Sequence, residues 1–258
     1  MRFFLDNSWL VFVTVCIALS TSAVLGYRLG VLTHINEDSH HHEHISSLRE
    51  GLFVLLALML GFTLAMVLPR FDQRRQLVVD EANAIEKTMW RAEMLPEPQR
   101  GKTLELLREY VVVRSQFARQ TLLDRPSLDR ETTRTKDLQR QLWQEMISVP
   151  LQNQTVVFVK YLEALNGMID VAEQRLVMFE NRVPATVWVI IFVIAVFQSL
   201  VAGLSLKRRF WFSLVITPLV VAVVLALVAE LGSPHDGLIT VEQNSMDRLL
   251  HETTDAKQ

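Results

Sequence analysis

Four long runs of uncharged, mostly apolar residues divide the chain, at positions 8–27, 51–69, 183–206 and 210–229. An α-helix of about 20 such residues crosses a hydrocarbon core of roughly 30 Å. The composition agrees, since 50% of the residues are hydrophobic and the mean hydropathy is +0.23. The pattern therefore predicts a membrane protein with four transmembrane helices.

The first run has one feature of a cleaved signal peptide, because Thr21, Ser22 and Ala23 are small residues at a suitable cleavage point. Its apolar stretch, however, exceeds the roughly 7–15 residues of a signal core. Asp6 also weakens the positive charge that Arg2 brings to the amino terminus. We therefore expect the run to be retained as the first span.

Residues 70–182 are rich in charged side chains and carry apolar residues at three- and four-residue steps, which predicts water-facing helices. Prolines at 95–98 (LPEP) and 124–127 (DRPS) predict breaks between them. We expect Ser127 to be the N-cap of a helix that ends near Ser148, and a longer helix to follow Pro150. No segment alternates with a period of two for long enough to predict a sheet.

The expected fold is an all-α membrane protein with four transmembrane helices in two hairpins and a helical cytoplasmic domain between spans two and three. Residues 1–69 form the first hairpin with a His-rich loop, and residues 70–182 form the cytoplasmic domain. Residues 183–230 form the second hairpin, and residues 231–258 form an acidic C-terminal tail.

We expect the amino terminus and the central domain to be cytoplasmic. Arg70, Arg74 and Arg75 after span two favour this orientation, because basic residues concentrate on the cytoplasmic side. The basic turn at 207–209 (KRR) then lies outside and opposes it. The loop at 31–47 has no Lys or Arg, as an external loop would.

Small residues recur four apart in three of the spans. Such residues let helix backbones approach closely in lipid, so they predict tight packing between spans. The series are Thr14, Ala18, Ser22 and Gly26 in the first span, Ala57, Gly61 and Ala65 in the second, and Ala195, Ser199 and Gly203 in the third.

Several segments, beginning just after span two, carry a family resemblance. Residues 70–85 read RFDQRRQLVVDEANAI, followed by WRAEMLP at 90–96 and LLREYV at 106–111. With LGFT at 60–63 and RVPATVW at 182–188, they resemble the bestrophin-like family of prokaryotic membrane proteins, over about residues 50–240. Glu86 stands where that family commonly has glycine, and residues 232–236 (GSPHD) replace a more usual Asp-Arg-Pro-Phe pattern.

The resemblance implies an oligomer in the prokaryotic inner membrane, related at a distance to bestrophins. Bestrophins are pentameric ion channels whose second helix lines a hydrophobic neck, and whose domain between spans two and three forms the cytosolic pore. The expected partners are thus further copies of the chain, the lipid bilayer and inorganic ions, with no nucleic acid.

Span two carries the candidate pore-lining residues Leu55, Met59, Phe62 and Met66, which fall on one stripe of a helix. A ring of these side chains around an oligomer axis makes an apolar constriction that gates by dewetting. The same stripe also fits a surface that faces lipid or the protein core. Pro69 is expected to end this span and to bend the helix there.

Two charged groups are candidates for a channel as well. Lys207, Arg208 and Arg209 would concentrate anions at the outer mouth of an oligomer, or anchor the turn in the membrane interface. The resemblance also marks Asp80, Glu81, Asn83 and Arg91, for which we favour a structural role, since their spacing is not that of a calcium loop.

Five of the seven histidines lie at positions 34–44. His40, His42 and His44 are candidate ligands for zinc, copper or nickel. His40 and His44 share a face if the tract is helical, and His42 and His44 share a side if it is extended. A solvated loop without metal and a pH sensor are the alternatives.

The sequence favours no enzyme, since it has no glycine-rich phosphate loop, nucleophile elbow or HExxH motif. Cys16 is the only cysteine, so no disulfide framework or thiolate metal site is expected. The leading hypothesis is an anion-conducting oligomeric channel. A metal-binding or metal-sensing membrane protein and a non-conducting scaffold are the alternatives.

Overall fold

The computed structural model describes residues 7–33, 39–121, 125–149, 155–181, 183–206, 211–232 and 244–255. Within these ranges the chain forms eight α-helices and no strand, which confirms the predicted all-α class. The helices are α1 (Ser8–Leu32), α2 (Ser39–Glu93), α3 (Gln99–Thr121), α4 (Arg125–Ile147), α5 (Val156–Glu180), α6 (Ala185–Leu204), α7 (Trp211–Gly232) and α8 (Asn244–Asp255).

Four of these helices, α1, α2, α6 and α7, are long and apolar enough to cross a membrane, and they contain the four predicted runs. Their pairing as two hairpins stays a prediction. The chain divides into two compact units. We call residues 1–71 with 182–239 the membrane unit, and residues 72–181 with 240–258 the helical unit.

In the membrane unit, α1 packs along both α6 and α7. The backbones of α1 and α6 come into contact at two glycines. A Cβ atom built on Gly26 would lie 2.0 Å from the Leu200 carbonyl oxygen, and one built on Gly203 would lie 2.0 Å from the Ala23 carbonyl oxygen. Ser22 Oγ donates to the Val196 carbonyl oxygen at 2.9 Å across the same crossing. The packing predicted from small residues is therefore confirmed for spans one and three.

Helix α2 is continuous through Pro69, so the proline does not end the helix, while the end of the membrane span at Pro69 stays a prediction. A proline inside a helix removes one backbone hydrogen bond and costs about 3 kcal/mol. Apolar packing of the neighbouring residues favours the continuous helix, since buried Val67 and partly buried Phe71 lie in one cluster with Val183 and Leu231, while Pro69 itself is exposed. Tertiary contacts of this kind commonly override local propensity.

The helical unit has its own hydrophobic core, to which α2, α3, α4, α5 and α8 contribute side chains. The described core includes Ile85, Leu107, Tyr110, Leu138, Leu142, Tyr161 and Leu165, all fully buried. Met246 and Leu249 of α8 belong to the same core. The segment expected as an acidic tail thus contains a helix that packs into the helical unit.

The predicted helix boundaries of this unit hold in part. The break at 95–98 is confirmed, because α2 ends at Glu93 and α3 begins at Gln99. Ser127 is not an N-cap, because α4 already begins at Arg125. Proline is tolerated in a first helical turn, where its missing N–H would have had no helical partner. Ser127 instead accepts a hydrogen bond from Arg130 Nη2 at 3.0 Å within that helix.

Candidate functional site

Span two is buried on one side only. Leu56, Thr63 and Val67 form that buried side. At about 100° per residue, the predicted pore stripe lies roughly a quarter turn around the helix from it. Phe62 is 59% exposed, Leu55 40% and Met66 39%. Met59 is partly buried and packs against the membrane-unit core. Three of the four candidate pore residues are therefore exposed on the single chain.

The small residues of span two lie on a further exposed side of the helix. Ala57, Gly61 and Ala65 are all exposed. Outside its own stretch of helix, no part of the described chain lies within 4 Å of a Cβ atom built on Gly61. Within the described residues, Gly61 therefore makes no close helix crossing, unlike Gly26 and Gly203 of spans one and three.

The residues marked by the family resemblance do not form one site. Asp80 is partly buried and accepts a hydrogen bond from Gln76 Nε2 at 2.9 Å, and Asn83 is exposed. Arg91 Nη1 donates to the Lys160 carbonyl oxygen at 2.7 Å and so links α2 to α5. Glu81, in contrast, is fully buried.

Glu81 is the centre of a buried ion triad in the helical unit. Its Oε1 accepts a hydrogen bond from Arg114 Nε of α3, and its Oε2 accepts one from Arg175 Nη1 of α5 at 2.5 Å. All three side chains are buried. Burial by itself would raise the carboxyl pKa, but the Arg114 and Arg175 guanidiniums hold the pKa of Glu81 below its usual value. The triad therefore joins three helices as a charged group at neutral pH.

Two tyrosines lie in the core of the same unit. Tyr110 is fully buried, and its hydroxyl accepts a hydrogen bond from Gln139 Nε2 at 3.2 Å. Burial raises the pKa of Tyr110 to about 12, and burial also raises the pKa of Tyr161. Both phenols are neutral at physiological pH.

Sequence reasoning did not identify Arg114 and Arg175. A signal was present, because each basic residue falls on an apolar helix face, three residues after Val111 in α3 and after Ala172 in α5. A charge on a buried face needs a partner, and the resemblance had already marked Glu81. The sequence did not show that these three distant segments pair in the folded chain.

The histidine tract is helical from Ser39 onward, so the expectation of a loop is wrong for that part. Position 44 then follows position 40 by one turn, whereas position 42 lies on the other side of the helix. His44 is exposed, and His34 lies outside the described residues. In the described part of the chain, no group of three or more His, Cys, Asp or Glu side chains is arranged to hold a metal ion. The basic turn of Lys207, Arg208 and Arg209 also lies outside the described residues.

The four apolar helices define an all-α integral membrane protein. The family model of the Bestrophin-like domain matches residues 15–246, and the chain therefore belongs to the Bestrophin-like family. The match begins within α1, earlier than the expected start near residue 50, so the histidine tract lies inside it. No curated protein and no solved structure matches the chain.

Proposed function

We propose that the protein is an oligomeric ion channel of bestrophin-like type that conducts anions. Membership of the Bestrophin-like family supports a channel-type, non-enzymatic protein. The observation that carries the proposal is the exposed side of span two, where Leu55, Phe62 and Met66 form an apolar stripe without a cover in the single chain. Lipid would also cover such a stripe, so the experiment must distinguish a stripe that lines a pore from one that faces lipid.

In the proposed assembly, copies of span two surround a central axis and the helical units continue the path on the cytoplasmic side. The exposed small residues Ala57, Gly61 and Ala65 favour close packing of span two on a neighbouring copy. The stripe would then form an apolar ring that opens and closes by wetting. The family resemblance suggests five copies in the prokaryotic inner membrane.

Anion preference rests on the basic turn of Lys207, Arg208 and Arg209. Repeated around an oligomer with a cytoplasmic amino terminus, this turn would surround the outer mouth. A ring of fixed positive charge raises the local anion concentration and repels cations.

Purified protein in planar bilayers should give currents whose reversal potential follows the chloride gradient. Phe62→Ala should widen the apolar ring and raise the open conductance several-fold, since a wider and less apolar pore wets more readily. Phe53→Ala is the matched control, because Phe53 is 53% exposed on the same span but lies on the opposite side of the helix.

Equal effects of the two substitutions would indicate that the side chains of Phe53 and Phe62 both face lipid, and would contradict a pore at Phe62. Folded oligomers that carry no current would contradict the channel and favour a non-conducting scaffold. A current that follows the potassium gradient would contradict anion selectivity only.

A second candidate function, metal binding by the histidine tract, is favoured by the start of α2 at Ser39. A helical His40 and His44 would be one turn apart, a spacing that suits zinc, copper or nickel. Calorimetry with zinc or copper should then show binding that is lost when all five histidines at 34–44 are changed to alanine. His44→Ala should weaken binding far more than His42→Ala. Equal binding by wild type and the five-alanine variant would remove this candidate.

A further inference from the structure

A small cavity lies inside the membrane unit, beside the crossing of α1 and α6. Its volume is about 10 Å³. Ala23, Ala202, Gly203 and Leu206 form apolar parts of its wall, and Ser199, Thr217 and Pro218 form the rest. Helices α6 and α7 contact each other over a shorter stretch than either contacts α1, and the cavity lies where residues of all three helices meet.

The wall of this cavity contains a buried hydroxyl that the protein does not satisfy. Ser199 is 1% exposed, and its Oγ has no hydrogen-bond partner among the described protein atoms. Serine and threonine hydroxyls in membrane helices usually donate to the carbonyl one turn earlier, as Thr63 Oγ1 does to Met59 at 2.7 Å. A buried hydroxyl without such a bond is costly in a membrane, because no lipid group replaces it.

The facing helix contributes further polar groups at the same place. Thr217 adds a second hydroxyl to the cavity wall. Pro218 has no backbone N–H, so the carbonyl of residue 214, one turn earlier in α7, has no helical donor. Ser199 of α6 and Thr217 and Pro218 of α7 thus line one small space between the two helices.

We propose that this cavity is a specific binding site for one water molecule, which links Ser199 of α6 to Thr217 of α7. The volume matches the roughly 10–15 Å³ that a single water needs, and buried waters typically make two to four hydrogen bonds to such polar groups. A larger ligand does not fit. The water thus adds a polar link between α6 and α7 beside their short direct contact.

The sign of the change in melting temperature tests the proposal. With a bound water, Ser199→Ala and Thr217→Val should each lower the melting temperature of the detergent-solubilised protein by about 2–4 °C. The double variant should be little worse than the more affected single variant, because both hydroxyls hold the same water. Without a water, Ser199→Ala removes an unsatisfied buried hydroxyl and should raise the melting temperature or leave it unchanged.

Two exposed hydroxyls that already bond to their own helices serve as controls. Ser47 Oγ donates to the Glu43 carbonyl oxygen at 3.1 Å, and Thr21 Oγ1 donates to that of Ile17 at 2.8 Å. Ser47→Ala and Thr21→Val should change the melting temperature much less than the cavity variants.

A high-resolution map of the wild-type protein should also show one density feature between Ser199 and Thr217. This measurement decides the proposal if a variant fails to fold. A map without that feature, a Ser199→Ala variant whose melting temperature is raised or unchanged, or additive effects in the double variant would overturn the water site.

Discussion

The membrane unit and the helical unit hold their helices together by different means. Where α1 crosses α6, backbones touch at Gly26 and Gly203, and the hydrogen bond across the crossing comes from a serine hydroxyl. The helical unit buries large apolar side chains, together with a carboxylate and two guanidiniums. The difference follows from the solvent, because apolar burial brings little gain against lipid and a large gain against water.

This comparison also explains which polar groups each unit buries. In the helical unit, the free energy of burying a large core offsets the desolvation of Glu81, Arg114 and Arg175, provided that the charges pair. In the membrane unit, the buried polar residues Ser22, Thr63, Gln198, Ser199 and Ser205 are uncharged, and Glu230, near the C-terminal end of α7, is the buried charged residue among those described. Substitutions in the two units should therefore destabilise the folded protein for different reasons.

The largest effect is expected at the α1–α6 crossing. Gly203→Ala places a methyl group 2.0 Å from the Ala23 carbonyl oxygen, so the helices must separate. We expect loss of the folded species in size-exclusion chromatography in detergent. Gly51→Ala is the control, since outside its own stretch of helix no part of the described chain lies within 4 Å of the added carbon. A Gly203→Ala protein that elutes and melts like wild type would refute backbone contact at this crossing.

The next effect concerns the buried triad. Glu81→Gln leaves two buried guanidiniums without their carboxylate, and should lower the free energy of unfolding by about 3–5 kcal/mol. Chemical unfolding followed by circular dichroism measures this change. Glu163→Gln, which breaks the exposed pair with Lys160, is the matched control and should hardly alter stability.

The pH dependence of stability gives a second measurement on the triad. Because the pKa of Glu81 is lowered in the folded state, its contribution is complete above the ordinary carboxyl pKa of about 4.3. The contribution is lost as the pH falls from there through the folded-state pKa. Glu81→Gln should therefore show a smaller loss of stability in acid than wild type. Identical acid profiles would contradict a charged Glu81.

A smaller effect is expected for α8. Met246 is fully buried in the core of the helical unit, so Met246→Ala should cost about 2–3 kcal/mol through the cavity that it creates. Arg248→Ala on the exposed side of the same helix is the control. If both variants unfold like wild type, the C-terminal segment does not pack on this unit and is only a tail.

The smallest effect is expected for Tyr110→Phe, which removes one hydrogen bond to Gln139 and should cost about 1 kcal/mol. Because burial raises the pKa of Tyr110 to about 12, the folded state keeps its proton where the unfolded state loses it. Stability should therefore fall as the pH rises from about 10, and Tyr110→Phe should reduce that fall. Tyrosinate absorbance during an alkaline titration shows whether the phenol ionises near 10 or near 12.

Local patterns in the chain predicted most of the helices. Apolar runs located the spans, and apolar steps located α3 and α5. The same reasoning missed α8, although Met246, Leu249 and Thr253 follow a helical period, because its acidic composition was taken as that of a tail. It also did not predict that the helix continues through Pro69, because the packing beside that proline comes from residues far away in the sequence.

The candidate site was predictable only in part, for a similar reason. The stripe of Leu55, Phe62 and Met66 and the marked residue Glu81 were visible in the sequence. The sequence did not show that the stripe is exposed or which residues pair with Glu81, since both depend on which surfaces meet in the folded chain.

By itself, the sequence determined the helical class, the four apolar spans and the small residues that allow close crossings, because these follow from short-range periodicity and from the free energy of transfer into lipid. The tertiary structure brings Gly26 and Gly203 against the backbone of a facing helix, whereas no other element of the described chain lies within 4 Å of a Cβ atom built on Gly61. It likewise decided that Glu81 pairs with two arginines on other helices. The reason is that packing and charge pairing depend on the arrangement of distant segments, which no local pattern encodes.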